Sequence, residues 1–122
     1  MPQTVIPQLR MTDATRSLAF YAALGFTVDW EHRFEAGLPL FAQLTREGQT
    51  IFLSGHAGDC AVGGAVYFKV DDVDACARAF EDAGVPILHA PWDTDWGTRE
   101  MLVVDPDHNR LRFARHDDGA AR

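Results

Sequence analysis

The feature that most constrains this chain is that it is written twice. The segment Leu9-Arg10-Met11-Thr12-Asp13 opens into a run ending Phe20-Tyr21-Ala22-Ala23-Leu24-Gly25, and Phe68-Lys69-Val70-Asp71-Asp72 opens into one ending Ala79-Phe80-Glu81-Asp82-Ala83-Gly84. A constant offset of 59 residues relates Asp13 to Asp72, Tyr21 to Phe80 and Gly25 to Gly84 without a gap. Each match has a mechanical reason. Thr12/Asp13 and Asp71/Asp72 can accept hydrogen bonds from the free amides of a helix N-terminus. Gly25 and Gly84 supply the left-handed residue that stops a helix. Leu18, Tyr21 and Ala22 in the first copy, and Val73, Ala77 and Phe80 in the second, give each helix one apolar stripe.

The rest of each copy reads as strands. In the first, Phe26–Arg33, Pro39–Thr45 and Thr50–Ser54 are separated by Glu35-Ala36-Gly37 and Glu47-Gly48. In the second, a strand at Pro86–His89 precedes a Pro-, Asp- and Trp-containing loop over residues 91–97. A strand at Arg99–Val104 then meets the turn Asp105-Pro106-Asp107-His108-Asn109 and a last strand carrying Leu111 and Phe113. Each copy is therefore β-α-β-β-β. The expectation is an α+β fold, one domain over residues 1–122, made of two tandem modules at about 4–54 and 64–114. A small-residue linker, Gly55 to Gly64, joins them, and the tail after Arg115 is expected to fray.

Composition narrows the function. A net charge of −7 argues against nucleic acid as the main partner and favours cationic ligands. Two cysteines, Cys60 and Cys76, are too few for a disulfide framework or a zinc cluster. No apolar run reaches the ~20 residues of a bilayer span, and no signal-peptide pattern opens the chain. A cytoplasmic protein is expected. Capping and turn geometry account for Asp71, Asp72, Asp74, Asp105 and Asp107.

The paired modules, together with LRMTD, FKVDDVDA and DPDHNRLRF, resemble the vicinal oxygen chelate superfamily, which includes glyoxalase I, extradiol dioxygenases and bleomycin-resistance proteins. The resemblance implies a cupped mixed sheet in which ligands bind. Enzymes of that superfamily hold a divalent ion at four strand positions, which correspond here to Ile6, Phe52, Ala65 and Arg112. None of these is a plausible ligand for such an ion. No metal and no other cofactor is expected, and no catalytic residue is assigned.

The match to the resistance proteins goes further, through Val5-Ile6-Pro7, GFTVDWEHRF, Ile51-Phe52-Leu53-Ser54 and the Trp96-Gly97 loop. It implies a homodimer with a ligand groove at its interface. Trp30, Phe34 and Trp96 would stack on a flat, bleomycin-like aromatic ligand, with Phe52 as a wall and Asp29 and Ser54 as polar contacts. Arg112 would bring a positive charge into the same pocket. The alternative is a glyoxalase-like lyase or isomerase with a relocated metal or an acid–base pair. Its candidates are His32, His56 and Glu100, with Glu31, Asp59 and Cys60 nearby in the pattern. Cys76, inside the second helix, is expected in the core.

Overall fold

In a computed structural model the structure describes residues 2–117. The first module runs β1 (Gln8–Arg10), α1 (Ala14–Ala23), β2 (Thr27–His32), β3 (Phe41–Arg46) and β4 (Gln49–Ser54). The second runs β5 (Ala65–Lys69), α2 (Val73–Asp82), β6 (His89–Asp93), β7 (Thr98–Val104) and β8 (Arg110–His116). Each module forms its own four-stranded sheet, in the orders β1-β4-β3-β2 and β5-β8-β7-β6. In both, the strand before the helix lies parallel to the last strand and the other pairs are antiparallel.

The helices begin and end as the sequence predicts. The carboxylates of Asp13 and Asp72 accept the backbone N–H of Arg16 and Ala75 at 3.1 and 3.0 Å. Gly25 and Gly84 take φ of +100° and +82°, a region that side chains disfavour. Val73, Ala77 and Phe80 are buried as expected, but the stripe of α1 is narrower: Ser17 and Tyr21 are its buried residues, and Ala22 is exposed.

The second module differs from its prediction in one strand. Residues 86–88 are not in a strand, and β6 begins at His89 and runs through Pro91-Trp92-Asp93 into the segment expected to be loop. Pro91 is tolerated because β6 lies at the sheet edge, with a register shift between His89 and Trp92. At the chain's end His116 still pairs with Thr98, and the remainder of the expected frayed tail, residues 118–122, lies outside the described residues.

Alternation along the strands sends Leu9, Ala42, Leu44, Ile51 and Leu53 from one sheet, and Met101, Val103, Leu111 and Phe113 from the other, into one shared core. Rings continue across the module boundary. Tyr21 meets Phe26 at 5.5 Å, Phe26 meets Phe68 at 6.1 Å, and Phe68 stacks on Phe113 at 4.7 Å.

A buried polar clasp joins the modules beside these rings. Asp105, in the β7–β8 turn, accepts the Tyr21 hydroxyl at 2.7 Å and the backbone N–H groups of Asp107 and Asn109 at 2.8 and 2.9 Å. Asp107 accepts the Thr12 backbone N–H at 3.0 Å and the hydroxyls of Thr12 and Ser17. Turn geometry therefore explains only part of what these aspartates do. Burial, and the nearby carboxylates of Asp105 and Asp107, push the Tyr21 phenol far above its ordinary pKa, so it remains a neutral donor.

Tyr21→Phe removes one donor from a buried carboxylate and leaves the ring in place. The expected loss is about 1.5–3 kcal/mol, the range for a hydrogen bond to a charged group. Urea unfolding should show it as a lower midpoint at unchanged slope; an unchanged midpoint would remove the clasp from the stability of the fold.

Candidate functional site

With the core side of each sheet occupied, the opposite faces carry the chemistry. On the first sheet, Phe41, Gln43 and Thr45 of β3 alternate with the buried Ala42 and Leu44. Phe52 lies opposite Gln43 in the register. Trp30, paired with Gln43, stacks on Phe41 at 6.0 Å and 18° and leans on Phe52 at 5.9 Å. Phe41 and Phe52 are 5.0 Å apart, so three rings form one platform, and the Trp30 side remains 43% exposed.

The register shift between Val28 and Trp30 puts Asp29 on that same face. Its carboxylate accepts the Gln43 amide at 3.0 Å and the Thr45 hydroxyl. These two hydrogen bonds, Thr45 first, hold the Asp29 pKa below the usual carboxylate value. The face therefore presents an ionised, solvent-open carboxylate beside a ring platform.

The second sheet answers with a different set. Glu100 is buried on β7, and its carboxylate accepts Arg112 Nη1 at 3.0 Å and the Thr98 hydroxyl at 2.8 Å. Burial alone would raise the Glu100 pKa, but hydrogen bonds from Thr98, Arg112 and Trp96 outweigh it and lower the value. Tyr67 lies opposite Arg112 across β5–β8, and its hydroxyl meets His116 Nε2 at 2.9 Å. Trp96 is 49% exposed and meets Trp92 edge to face at 5.9 Å.

The structure thus brings Trp30, Phe52 and Asp29 onto one face, and Trp96 and Arg112 onto the other sheet's cluster. Two expected contacts fall elsewhere. Ser54 is fully buried; its hydroxyl donates to Asp59 at 2.6 Å and accepts the His56 backbone N–H at 3.1 Å, so it anchors the linker and is not a surface contact. Phe34 sits outside the platform on the β2–β3 loop, 71% exposed, edge-on to His32 at 4.7 Å and to His56 at 5.8 Å.

The residues proposed for an acid–base or metal site are separated in the same way. His32 and His56 meet around Phe34, Asp59 is committed to Ser54, and Glu100 belongs to the second sheet. Among the described residues no three His, Cys, Asp or Glu side chains converge on a cation position. The Cys60 thiol pKa is raised by burial and by Asp59 against a weaker effect of Arg10, which disfavours a reactive thiolate. Cys76 is half-buried against the core.

Sequence reasoning missed Phe41, Gln43, Thr45, Tyr67 and Thr98. The alternation in FAQLTR was a readable signal for the first three; Tyr67 required the β5–β8 register.

The two-module architecture and its strand order are those of the glyoxalase type. The sequence matches the glyoxalase superfamily protein family over residues 1–120, and the chain belongs to that superfamily. Among solved structures it is similar to a bleomycin-binding protein complexed with bleomycin, at 26% identity and TM-score 0.75, covering 95% of this chain and 100% of that one. It is also similar to a bleomycin resistance determinant encoded on the transposon Tn5, at 26% identity and TM-score 0.76, covering 94% and 98% of the two chains. TioX from Micromonospora sp. ML1 shares the fold at 22% identity and TM-score 0.73, covering 98% of both. No curated protein matches the sequence significantly. No described helix is long and apolar enough to cross a membrane.

The fold implies a divalent ion at Ile6, Phe52, Ala65 and Arg112, and the side chains do not fit one. Phe52 is a ring packed between rings, and the Arg112 guanidinium is ion-paired to Glu100.

Because the folded Glu100 pKa is depressed, its contribution to stability is complete above the unfolded value near 4.5 and is lost as pH falls through the folded value. Glu100→Gln should be less stable than the parent at neutral pH, and urea unfolding should show the gap closing from about pH 5 downwards. A gap that stayed constant down to about pH 3 would contradict this assignment.

Proposed function

We propose that the protein binds and sequesters an aromatic, cationic small molecule of the bleomycin type, in a groove that two copies of the chain form together. The observation that carries this reading is the half-exposed Trp30–Phe41–Phe52 platform with the ionised Asp29 on the same face. A flat heteroaromatic ring gains roughly 0.5–1.5 kcal/mol per stacked partner beyond burial. A positive charge on that ligand meets Asp29, and the net charge of −7 raises its local concentration.

Arg112 does not oppose such a ligand, because its charge is answered by Glu100 at 3.0 Å. Trp92 and Trp96 offer a second pair of rings beside that ion pair. In a homodimer, the first-sheet face of one copy and the second-sheet face of the other would enclose the ligand from both sides. The likeness to a bleomycin-binding protein solved with bleomycin supports the ligand class. Capture of this kind is stoichiometric and needs no bond to be made or broken. Phe34, on its exposed loop, would close over the bound ligand's edge.

Titration with metal-free and copper-loaded bleomycin, followed by tryptophan emission, tests the reading. Saturable quenching at about one ligand per chain is expected, with affinity at least tenfold weaker in Trp30→Ala and in Trp96→Ala, on the order of one or two stacking partners lost. Sedimentation should give a dimer. A flat titration of the folded protein would remove bleomycin-type ligands from consideration.

A further inference from the structure

A cavity of about 790 Å³ lies at the junction of the modules, bounded by the β3–β4 hairpin, β5 and α2. That is within the ~300–1,000 Å³ of small-molecule pockets. Its apolar lining includes Ile51, Val66, Phe68 and Ala75. The charged residues Glu47, Lys69, Asp71 and Asp72 also line it but are exposed, which puts them at the rim. One charge is set deeper, that of the half-buried Arg46.

Arg46 is held in place on three sides. Its Nε donates to the Leu24 carbonyl at 3.0 Å and its Nη2 to Cys76 Sγ at 3.6 Å. Its guanidinium carbon is 5.6 and 5.5 Å from the ring centres of Phe80 and Phe113. Among the described residues no carboxylate pairs with it, and Nη1 has no hydrogen-bond partner yet is not sealed from solvent. A partly desolvated cation with a free donor edge is an incomplete interaction, and a carboxylate is the group that matches a guanidinium geometrically.

We propose that this cavity is a second ligand site, for a small monocarboxylic acid with an apolar body whose carboxylate is received by Arg46. The apolar lining takes the body. The rim acids Glu47, Asp71 and Asp72 outnumber Lys69 and penalise every negative charge, and Arg46 compensates one of them, so a dianion is disfavoured relative to a monoanion. The site uses neither Asp29 nor the Trp30–Phe41–Phe52 platform, and of the second-sheet cluster it shares Tyr67 alone. An Arg46 that served only to close the C-terminus of α1 through Leu24 would leave the cavity indifferent to ligand charge.

The experiment is a titration of the ¹⁵N-labelled protein with 3-phenylpropanoate, its neutral amide and inorganic phosphate, followed by amide and indole NMR signals. Saturable shifts are expected from the carboxylate at residues 46–51, 66–70 and 73–79, with the indole signals of Trp30 and Trp96 unmoved. The amide and phosphate should bind at least tenfold more weakly, and Arg46→Met should weaken the carboxylate at least tenfold. If that variant loses its dispersed spectrum, Ala75→Leu narrows the cavity while leaving every Arg46 partner in place, and should have the same effect. Equal binding of acid and amide, shifts confined to the tryptophan indoles, or no saturation with the carboxylate would each overturn the proposal. None of these outcomes depends on whether bleomycin binds.

Discussion

Among the described residues the two sheets share no ladder of backbone hydrogen bonds, so their relation depends on the side-chain clasp that joins the β7–β8 turn to α1 and to Thr12 just before it. Apolar burial drives the modules together but is nondirectional. Direction comes from Asp105 and Asp107, each with fixed donors on the first module, and from Asn109, whose amide donates to the Arg10 carbonyl at 3.0 Å. The linker is fitted to the same point. The Gly64 N–H donates to Asn109 Oδ1 at 2.8 Å, and a Cβ there would come within 3.1 Å of Leu9 and 3.2 Å of Asn109. The polar clasp is compatible with burial because its donors are matched and Tyr21 stays neutral.

This arrangement decides what the outer faces can be. Once each helix and the inward alternate residues are committed to the shared core, the remaining strand positions face outward whatever their chemistry. Half-exposed tryptophans and a solvent-open carboxylate do nothing for the core. Trp30 on β2 gains its neighbours Phe41 and Phe52 from the next two strands of its own sheet, β3 and β4, so the rings are already assembled on one face. Preorganisation of that kind reduces the ordering cost of binding.

Local features of the fold were legible in the sequence because their causes are local. Asp13 and Gly25 cap and stop α1 through atoms within a few residues, and the duplication repeats the pattern at Asp72 and Gly84. The edge strand β6 is displaced from its expected place because Pro91 and the nearby tryptophans look like loop, whereas pairing with β7 carries the strand through Pro91 and Trp92 to Asp93 and leaves Trp96 in the turn beyond. The burial of Ser54 is not legible in the sequence, because nothing in a one-dimensional pattern shows that Asp59 folds back onto it. Arg46 carried no sequence signal, since its partners come from the end of α1, from α2 and from β8. Trp30 and Asp29 stood out by residue type, but their common face depends on a register shift that only the structure shows.

The registers also show how one duplicated template yields two different faces. Phe52 lies between Gln8 and Gln43 as Arg112 lies between Tyr67 and Leu102, so Phe52 and Arg112 occupy equivalent places. Two residues further along those strands, Ser54 faces Phe41 and Ala114 faces Glu100, which makes Phe41 and Glu100 equivalent too. The same pair of positions therefore holds two rings 5.0 Å apart in one module and an ion pair at 3.0 Å in the other. The rings leave the adjacent Asp29 free to receive a cation, while the ion pair neutralises itself and leaves Trp96 and Tyr67 as accessible rings beside it. Two copies arranged so that unlike faces meet would offer a ligand a charged, ring-lined wall on one side and a neutralised, tryptophan-lined wall on the other. A flat molecule with its cation at one end would then have a single favoured orientation in the groove, set by Asp29.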